Sequence, residues 1–231
     1  WQSGESMDDF PLVKQVSLAQ PLWLISRQSL GFYLYPGQQL MLRRSEQRNP
    51  SSDGKQQTTG KFTTAWLSHG QTPRDASYRY ILRLGATPAG MAAFADSMAT
   101  DSPIAILQQD DDAHVVAAVA GGSEGSVIFK ADAVVKSGVI AAASRPCVVW
   151  CQRSGDTLAL SVADPDLNLA GSDKDPNQWG YSLPSTVVLT LRGTWRAPDG
   201  DNLTMSSPVE GHTTLSVRCQ NGATTTATLR Q

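Results

Sequence analysis

The stretch GKFTTAWLSHGQTPRDASYRY, residues 60–80, contains two short apolar segments joined by a polar turn. Phe62–His69 and Ser77–Leu84 are rich in aromatic and aliphatic residues, and a connection that contains Pro73 separates them. Short runs of this kind, bounded by Gly, Pro and Asp, are typical of β-strands. The stretch therefore predicts two neighbouring strands of a β-sheet.

The same pattern recurs through most of the chain. Further strands are predicted at Leu22–Ser26, Gly31–Tyr35, Gln39–Arg43, Ile104–Gln108, Val115–Val119, Ser126–Lys130, Cys147–Gln152, Thr157–Val162 and Val187–Trp195. The segment Arg153–Asp156 predicts a hairpin turn. The pair Asn221-Gly222 predicts a second hairpin, whose return strand carries Ala227 and Leu229. In contrast, Asn49–Gly60 is polar and rich in turn formers, which indicates a long exposed loop.

One helix interrupts the strands. Thr87 is a favoured N-cap residue, and Pro88 occupies the first helical position. An apolar stripe at helical spacing follows, and we expect it to face a core. This stripe consists of Met91, Phe94, Ala95 and Met98.

The helix is the natural boundary between two parts of the chain. We expect residues 1–101 and residues 102–231 to form separate β-domains. The expected fold class is all-β, with antiparallel β-sandwich strands and one short helix, in two parts.

Composition excludes several classes of function. The chain of 231 residues has 19 Lys and Arg against 21 Asp and Glu, a formal net charge of -2. This balance gives no general attraction for nucleic acid or for a sulfated polyanion, so contact with an acidic sugar would need a local basic cluster. No apolar run is long enough to cross a bilayer as a helix. Because the chain opens at Trp1 without a leader, we expect a piece of a longer protein.

The three cysteines are predicted to be structural. Cys147 and Cys151 lie four residues apart in one strand, so they share a face at a separation of roughly 13 Å, too far for a disulfide. One of them could pair with Cys219, but buried free thiols are the favoured interpretation. The spacing does not match a zinc site.

The opening stretch resembles the late part of polysaccharide lyase family 8, and within it the chondroitin ABC lyases. The matching residues, in order and in spacing, are Trp66, His69, Pro73, Asp75, Ala76, Tyr78 and Tyr80. The similarity continues to about residue 169, through Thr87, Pro88 and Met91, through Ile106–Asp110, and through Ser161–Asn168.

The resemblance implies both a fold and an activity. Residues 1–101 would be the last strands of the family's central β-sandwich, and residues 102–231 its small C-terminal β-domain. Members cleave chondroitin sulfate, dermatan sulfate or hyaluronan by β-elimination, in which a Tyr removes the proton next to the uronate carboxylate. Those catalytic residues lie upstream and match nothing here, so we expect no catalytic, cofactor-binding or metal-binding residue in this chain. By itself the piece should be inactive.

The resemblance also implies partners and a location. The expected partners are the rest of the lyase polypeptide, with its α/α toroid and central sandwich, and an acidic polysaccharide substrate, but neither nucleic acid nor a membrane. Family members are extracellular or periplasmic bacterial enzymes. Two alternatives stay open: a non-catalytic carbohydrate-binding module, which needs an exposed aromatic row, and an inert structural or adhesive sandwich.

Several side chains could carry chemistry, and each has a simpler structural interpretation. His69, Tyr78 and Tyr80 are expected to be sandwich framework. If the strand is regular, Trp66 and His69 lie on its opposite faces, and His69 is expected to bond to the turn after it. The cluster Asp110–Asp112 with His114 is expected to be a solvated turn.

Two further candidates concern cations and sugars. The segment Asp164–Asn168 starts like a calcium loop but lacks the required Gly and Glu, although a weak structural cation near Asp173 and Asp175 stays open. Among the tryptophans, Trp150 and Trp195 are predicted to be core residues. Trp179, in a polar loop, is the best candidate for stacking against a sugar.

Overall fold

A computed structural model of the chain describes residues 9–170, 181–196 and 202–231. The chain divides into two compact units, the first ending at Asp101 and the second beginning at Ser102. The prediction of an all-β fold with one short helix is confirmed for the described residues. No helix in these ranges is both long and apolar enough to span a membrane.

The first unit consists of two antiparallel sheets and a helix. Each sheet has three strands, in the orders β1-β4-β5 and β2-β3-β6. The elements are β1 (Leu12–Ser17), β2 (Leu22–Ile25), β3 (Gly31–Leu34), β4 (Gln39–Pro50), β5 (Gln57–Leu67), β6 (Tyr80–Arg83) and α1 (Pro88–Thr100).

Two apolar clusters hold the first unit together. Successive side chains of a strand point to opposite faces, so β2 and β3 contribute to both clusters. Leu24 and Leu34 join Leu40 and Leu42 of β4 in the first cluster. On the other face, Trp23 and Tyr33 pack against Met91 of α1 in the second cluster. The partly buried residues around this cluster are Ile25, Tyr35, Ile81, Ala86, Phe94, Ala95 and Met98.

The helix begins and packs as its sequence predicts. The Thr87 side-chain oxygen accepts a hydrogen bond from the Gly90 backbone N–H at 3.1 Å, which satisfies one of the free donors of the first turn. Met91 is fully buried. Phe94, Ala95 and Met98 lie against the same cluster, so the predicted apolar stripe is confirmed.

The prediction of a long loop at Asn49–Gly60 is wrong. Strand β4 continues to Pro50 and β5 starts at Gln57, with Asn49 paired to Thr58 and Gln47 to Gly60. Both strands are exposed over this stretch, so their side chains show no apolar alternation. The backbone groups of the two strands still pair with each other, and this pairing does not depend on side-chain polarity.

The second unit is a two-sheet sandwich. Six strands form one sheet in the order β18-β12-β11-β9-β8-β7, four form the other in the order β10-β15-β17-β16, and β13 pairs with β14. The strands are β7 (Ile104–Gln109), β8 (Ala113–Ala118), β9 (Ser123–Ile128), β10 (Ile140–Ala143), β11 (Cys147–Ser154), β12 (Thr157–Ala163), β13 (Leu169–Ala170), β14 (Tyr181–Ser182), β15 (Ser185–Arg192), β16 (Leu203–Met205), β17 (His212–Cys219) and β18 (Thr225–Arg230).

The core of the second unit lies between its sheets. Val149 and Leu160 of the six-stranded sheet, and Leu189 and Leu215 of the four-stranded sheet, are at most 1% exposed. Every second residue of these strands is buried, which is the pattern of an antiparallel sheet with one face on a core. The β11–β12 hairpin is present as predicted, with Ser154 paired to Thr157 across Gly155.

The predicted hairpin at Asn221-Gly222 is wrong. Strand β17 belongs to the four-stranded sheet, whereas β18 pairs with β12 in the six-stranded sheet. Both residues have positive φ, as a tight turn requires, but the turn carries the chain from one sheet to the other. Cys219 and Leu229 are therefore buried in the same core from opposite sheets.

Candidate functional site

The first unit contains an open groove of about 1230 Å³. Its floor is formed by inward-facing leucines of the first cluster, and β5 borders it. Three permanent cations line it, and no Asp or Glu is among its described lining residues. These cations are Arg27, Arg44 and Lys61. The groove therefore combines an apolar floor with positive charge at its sides.

The aromatic residues of the opening sequence stretch meet at this groove. The rings of Tyr78 and Tyr80 stack with centroids 6.2 Å apart, and His69 lies 6.1 Å from Tyr78. Strand β5 ends at Leu67, so His69 lies beyond it. Both Trp66 and His69 line the groove. The expectation that they lie on opposite faces applies to a regular strand, and β5 does not extend to His69, so it stays untested.

The acidic cluster forms a turn between β7 and β8, as predicted. Asp110 accepts hydrogen bonds from the backbone N–H groups of Asp112 and Ala113, and Lys136 Nζ lies 2.6 Å from its carboxylate. The Lys136 hydrogen bond, followed by that from Gln108, holds the pKa of Asp110 well below its usual range. Lys136 and Lys130 thus pair with Asp110 and Asp112, and no cluster of His, Cys, Asp and Glu suited to hold a metal ion is found among the described residues.

Asp164 fastens the end of β12 to β15. Its buried carboxylate accepts from Ser185 Oγ at 2.6 Å and from the Asp166 backbone N–H at 3.0 Å, and it lies 3.1 Å from Arg145 Nε. These contacts engage the Asp164 carboxylate in holding the fold together rather than in binding a metal ion. Asp173 and Asp175 lie outside the described residues.

The three cysteines are buried free thiols, as predicted. Burial raises the pKa of Cys147 and of Cys151 to about 12. Nucleophilic attack requires the thiolate, so neither thiol is suited to act as a nucleophile at neutral pH.

Sequence reasoning missed a buried polar network in the second unit. Both carboxylate oxygens of Glu124 accept from the Val139 backbone N–H at 3.2 Å. Arg192 donates to the carbonyl oxygens of Gly138 at 2.9 Å and Ile140 at 2.6 Å, and to that of Val135. Burial is the main cause of a raised pKa at Glu124. Charged residues inside otherwise alternating strands were the available signal.

The tryptophans divide between core and surface. Trp195 is 2% exposed and donates through Nε1 to the Arg192 carbonyl oxygen at 2.8 Å, so its predicted core position is confirmed. The same prediction for Trp150 is wrong, because that side chain is 44% exposed on the outer face of the six-stranded sheet. Trp179 lies outside the described residues.

The second unit consists of two antiparallel sheets around one core, and the residues of its central strands alternate between buried and more exposed positions. Residues 105–173 match the family model of the polysaccharide lyase family 8 C-terminal beta-sandwich domain. Over the matched residues the second unit is similar to this lyase domain. Two segments quoted above for the resemblance, Ile106–Asp110 and Ser161–Asn168, fall within the matched residues, and the predicted resemblance is confirmed.

Curated relatives extend the lyase similarity into the first unit. The chain is 28% identical over 200 residues to the chondroitin sulfate ABC endolyase of Proteus vulgaris, covering 86% of this chain and 19% of that protein. It is 27% identical over 190 residues to the chondroitin sulfate ABC exolyase of Bacteroides thetaiotaomicron, covering 74% of this chain and 18% of that protein. The chain thus spans about a fifth of the length of these relatives.

Solved lyase structures share the fold. A Paenibacillus xanthan lyase superposes with a TM-score of 0.66 at 18% identity, covering 95% of this chain and 20% of that chain. The Streptomyces coelicolor chondroitin AC lyase in complex with chondroitin sulphate gives a TM-score of 0.57 at 18% identity, covering 91% of this chain and 27% of that chain. At this level of identity the likeness concerns the architecture alone.

Proposed function

We propose that the chain is the C-terminal, non-catalytic part of a longer bacterial lyase, which degrades chondroitin sulfate, dermatan sulfate or hyaluronan by β-elimination outside the cytoplasm. The observation that carries this proposal is the match of residues 105–173 to the lyase C-terminal domain. The relatives named above support the substrate class, because they are chondroitin sulfate lyases that match most of this chain. In them, about four-fifths of the length lies outside the match.

A structural role fits the way the described titratable groups are used. Asp164 contacts Arg145 and Ser185, Glu124 accepts from Val139, and Asp110 contacts Lys136. β-Elimination needs a base close to the substrate proton and cations on the uronate carboxylate. These carboxylates instead bind parts of their own fold, so we assign the chemistry to the rest of the polypeptide.

The first unit supports a role as the last strands of a larger sandwich. Within the described residues β5 is an edge strand of eleven residues, and β6 is an edge strand whose Tyr80 and Leu82 are 49% and 46% exposed. Long edges and half-exposed apolar side chains are stable when further strands cover them. We propose that upstream strands of the lyase extend these sheets and close the groove. Residues 1–101 would then complete the central sandwich, and residues 102–231 would form the C-terminal domain.

An elimination assay tests the proposal. β-Elimination leaves an unsaturated uronate that absorbs ultraviolet light, so turnover of chondroitin sulfate can be followed directly. We expect turnover by the protein from the full reading frame and none by the 231-residue chain. Turnover by the chain alone would overturn the assignment of chemistry to other residues, and an inactive full-length protein would overturn the assignment as a chondroitin-type lyase.

A further inference from the structure

The sheet β1-β4-β5 is basic in a chain that is acidic overall. Its strands contain five basic residues and one carboxylate, a net charge of +4, whereas the whole chain carries -2. The basic residues are Lys14, Arg43, Arg44, Arg48 and Lys61. The single carboxylate, Glu46, pairs with Arg48 at 3.4 Å. The strand register puts Arg43 on the same face as Trp66, and it puts the other four basic residues on the opposite face, with Leu40 and Leu42. Arg43 is therefore the cation that the face of Trp66 offers to an anionic partner.

The strand register places two aromatic rings and an arginine on the outer face of this sheet. Leu40 and Leu42 are buried, so the residues between and beyond them face outward. On that face Trp66 lies opposite Met41, Thr64 opposite Arg43, and Phe62 opposite Ser45. We call the row formed by Arg43, Phe62, Thr64 and Trp66 the Trp66 face.

The Trp66 face is open to solvent. Trp66 is 43% and Phe62 54% exposed, and the side chains of Arg43 and Thr64 are exposed as well. Gly60 helps to present Phe62, because a Cβ at Gly60 would come within 2.6 Å of that ring. Phe62 and Trp66 are four residues apart on one strand, or about 13 Å at the usual rise, which is longer than a single sugar ring.

We propose that the Trp66 face binds a linear acidic polysaccharide. Aromatic rings stack against the apolar C–H faces of sugars, and two rings at this spacing would contact two sugars of one chain. Arg43, opposite Thr64 and between the rings, pairs with a carboxylate or sulfate of the intervening sugar. The inference rests on the proposed function for the identity of the polysaccharide, and it extends that function to substrate capture.

The exposed tryptophan of the second unit provides an internal contrast. Trp150 lies opposite Gly125 and Ser161, and Val116 follows Gly125 in the same row. None of these neighbours is charged. A sugar could stack on this indole, but these neighbours supply no cation for an acidic one. Charge therefore distinguishes the two surfaces, and the polysaccharide belongs on the Trp66 face.

Affinity electrophoresis of the 231-residue chain in gels that contain chondroitin sulfate tests the proposal. We expect retardation by chondroitin sulfate, less retardation as salt is raised, and none by neutral dextran. Arg43→Gln and Trp66→Ala should each weaken binding about tenfold or more, which is the change expected when one charge-assisted or stacking contact is lost. Hyaluronan, which has carboxylates but no sulfates, shows which anion Arg43 recognises.

Two matched variants serve as controls. Arg218→Gln removes an exposed arginine of β17, and Trp150→Ala removes a half-exposed indole of the second unit. Both should bind as the unchanged chain does, and circular dichroism melting confirms that every variant is folded. The proposal is overturned if the unchanged chain does not bind, or if the controls lose as much affinity as Arg43→Gln and Trp66→Ala. This experiment measures binding and not catalysis. Its result therefore does not depend on whether the longer parent protein is active as a lyase.

Discussion

Gly138 shows how a single residue closes the polar network of the second unit. Its φ is +87°, and a Cβ there would overlap the carboxylate of Glu124. Because that carboxylate is held by Val139, it has little freedom to move aside. We predict that Gly138→Ala lowers the free energy of unfolding by about 1–3 kcal/mol, measured by urea denaturation.

Gly155 is the matched control for that substitution. Its φ is +61°, but a Cβ there would meet nothing within 4 Å. Gly155→Ala should therefore show only the backbone strain of a positive φ, about 1 kcal/mol. Equal losses at the two glycines would show that Glu124 is not held in place.

Glu124 itself should make stability depend on pH. Burial raises its pKa above the ordinary 4.5, so the folded state keeps its proton at pH values where the unfolded chain has lost it. The folded state is therefore progressively disfavoured as pH rises above 4.5, until the raised pKa is passed.

Comparison with Glu124→Gln isolates this effect, because the amide keeps a hydrogen-bond acceptor and does not titrate. We predict that the melting temperature of the unchanged chain, taken relative to the variant, falls as pH rises from about 4 towards 8. A difference that stays constant over that range would contradict the raised pKa.

At the scale of elements, the N-terminus of α1 depends on a side chain that can be altered conservatively. Thr87→Ala removes the acceptor for the Gly90 N–H and should lower the stability of the first unit by about 1 kcal/mol, measured by urea denaturation. Thr87→Ser keeps the oxygen and should retain most of that stability. A loss of the same size in both variants would assign the effect to the threonine methyl group.

Helices and strands that bury one face in a core could be predicted from the sequence. Strands that are exposed on both faces could not. The apolar stripe of α1 and the alternating apolar residues of β11 and β12 indicate that one face of each element contacts a core. The exposed half of the β4–β5 hairpin contacts no core, so its sequence is polar and has the composition of a loop. At Asn221-Gly222 the turn was recognised, but the partner of the next strand depends on contacts that are distant in sequence.

The same distinction applies to the candidate site. The stacking of Tyr78 on Tyr80 fits their spacing of two residues, although β6 begins only at Tyr80. The Trp66 face depends on the register of β5 against β4, which brings Arg43 between Phe62 and Trp66. The position of Trp150 inside a strand predicts a core residue, but the alternation of the strand puts Val149 and Cys151 in the buried positions beside it.

At the scale of the whole molecule, the open sheets of the first unit predict that upstream sequence stabilises it. A longer version of the chain, extended upstream within the proposed lyase, should show a higher melting temperature for the first unit and less aggregation, because added strands would pair with β5 or β6 and cover Tyr80 and Leu82. Differential scanning calorimetry of the two lengths measures the change. An unchanged transition would show that the first unit is already complete.

Complementation in trans tests most directly the claim that this chain supports chemistry performed elsewhere. The upstream portion of the proposed lyase and the 231-residue chain would be purified separately, and the ultraviolet absorbance produced from chondroitin sulfate would be recorded for each and for the mixture. We predict no turnover by the chain, weak turnover by the upstream portion, and a clear gain on mixing. Turnover by the chain alone, or full activity of the upstream portion without it, would contradict the account.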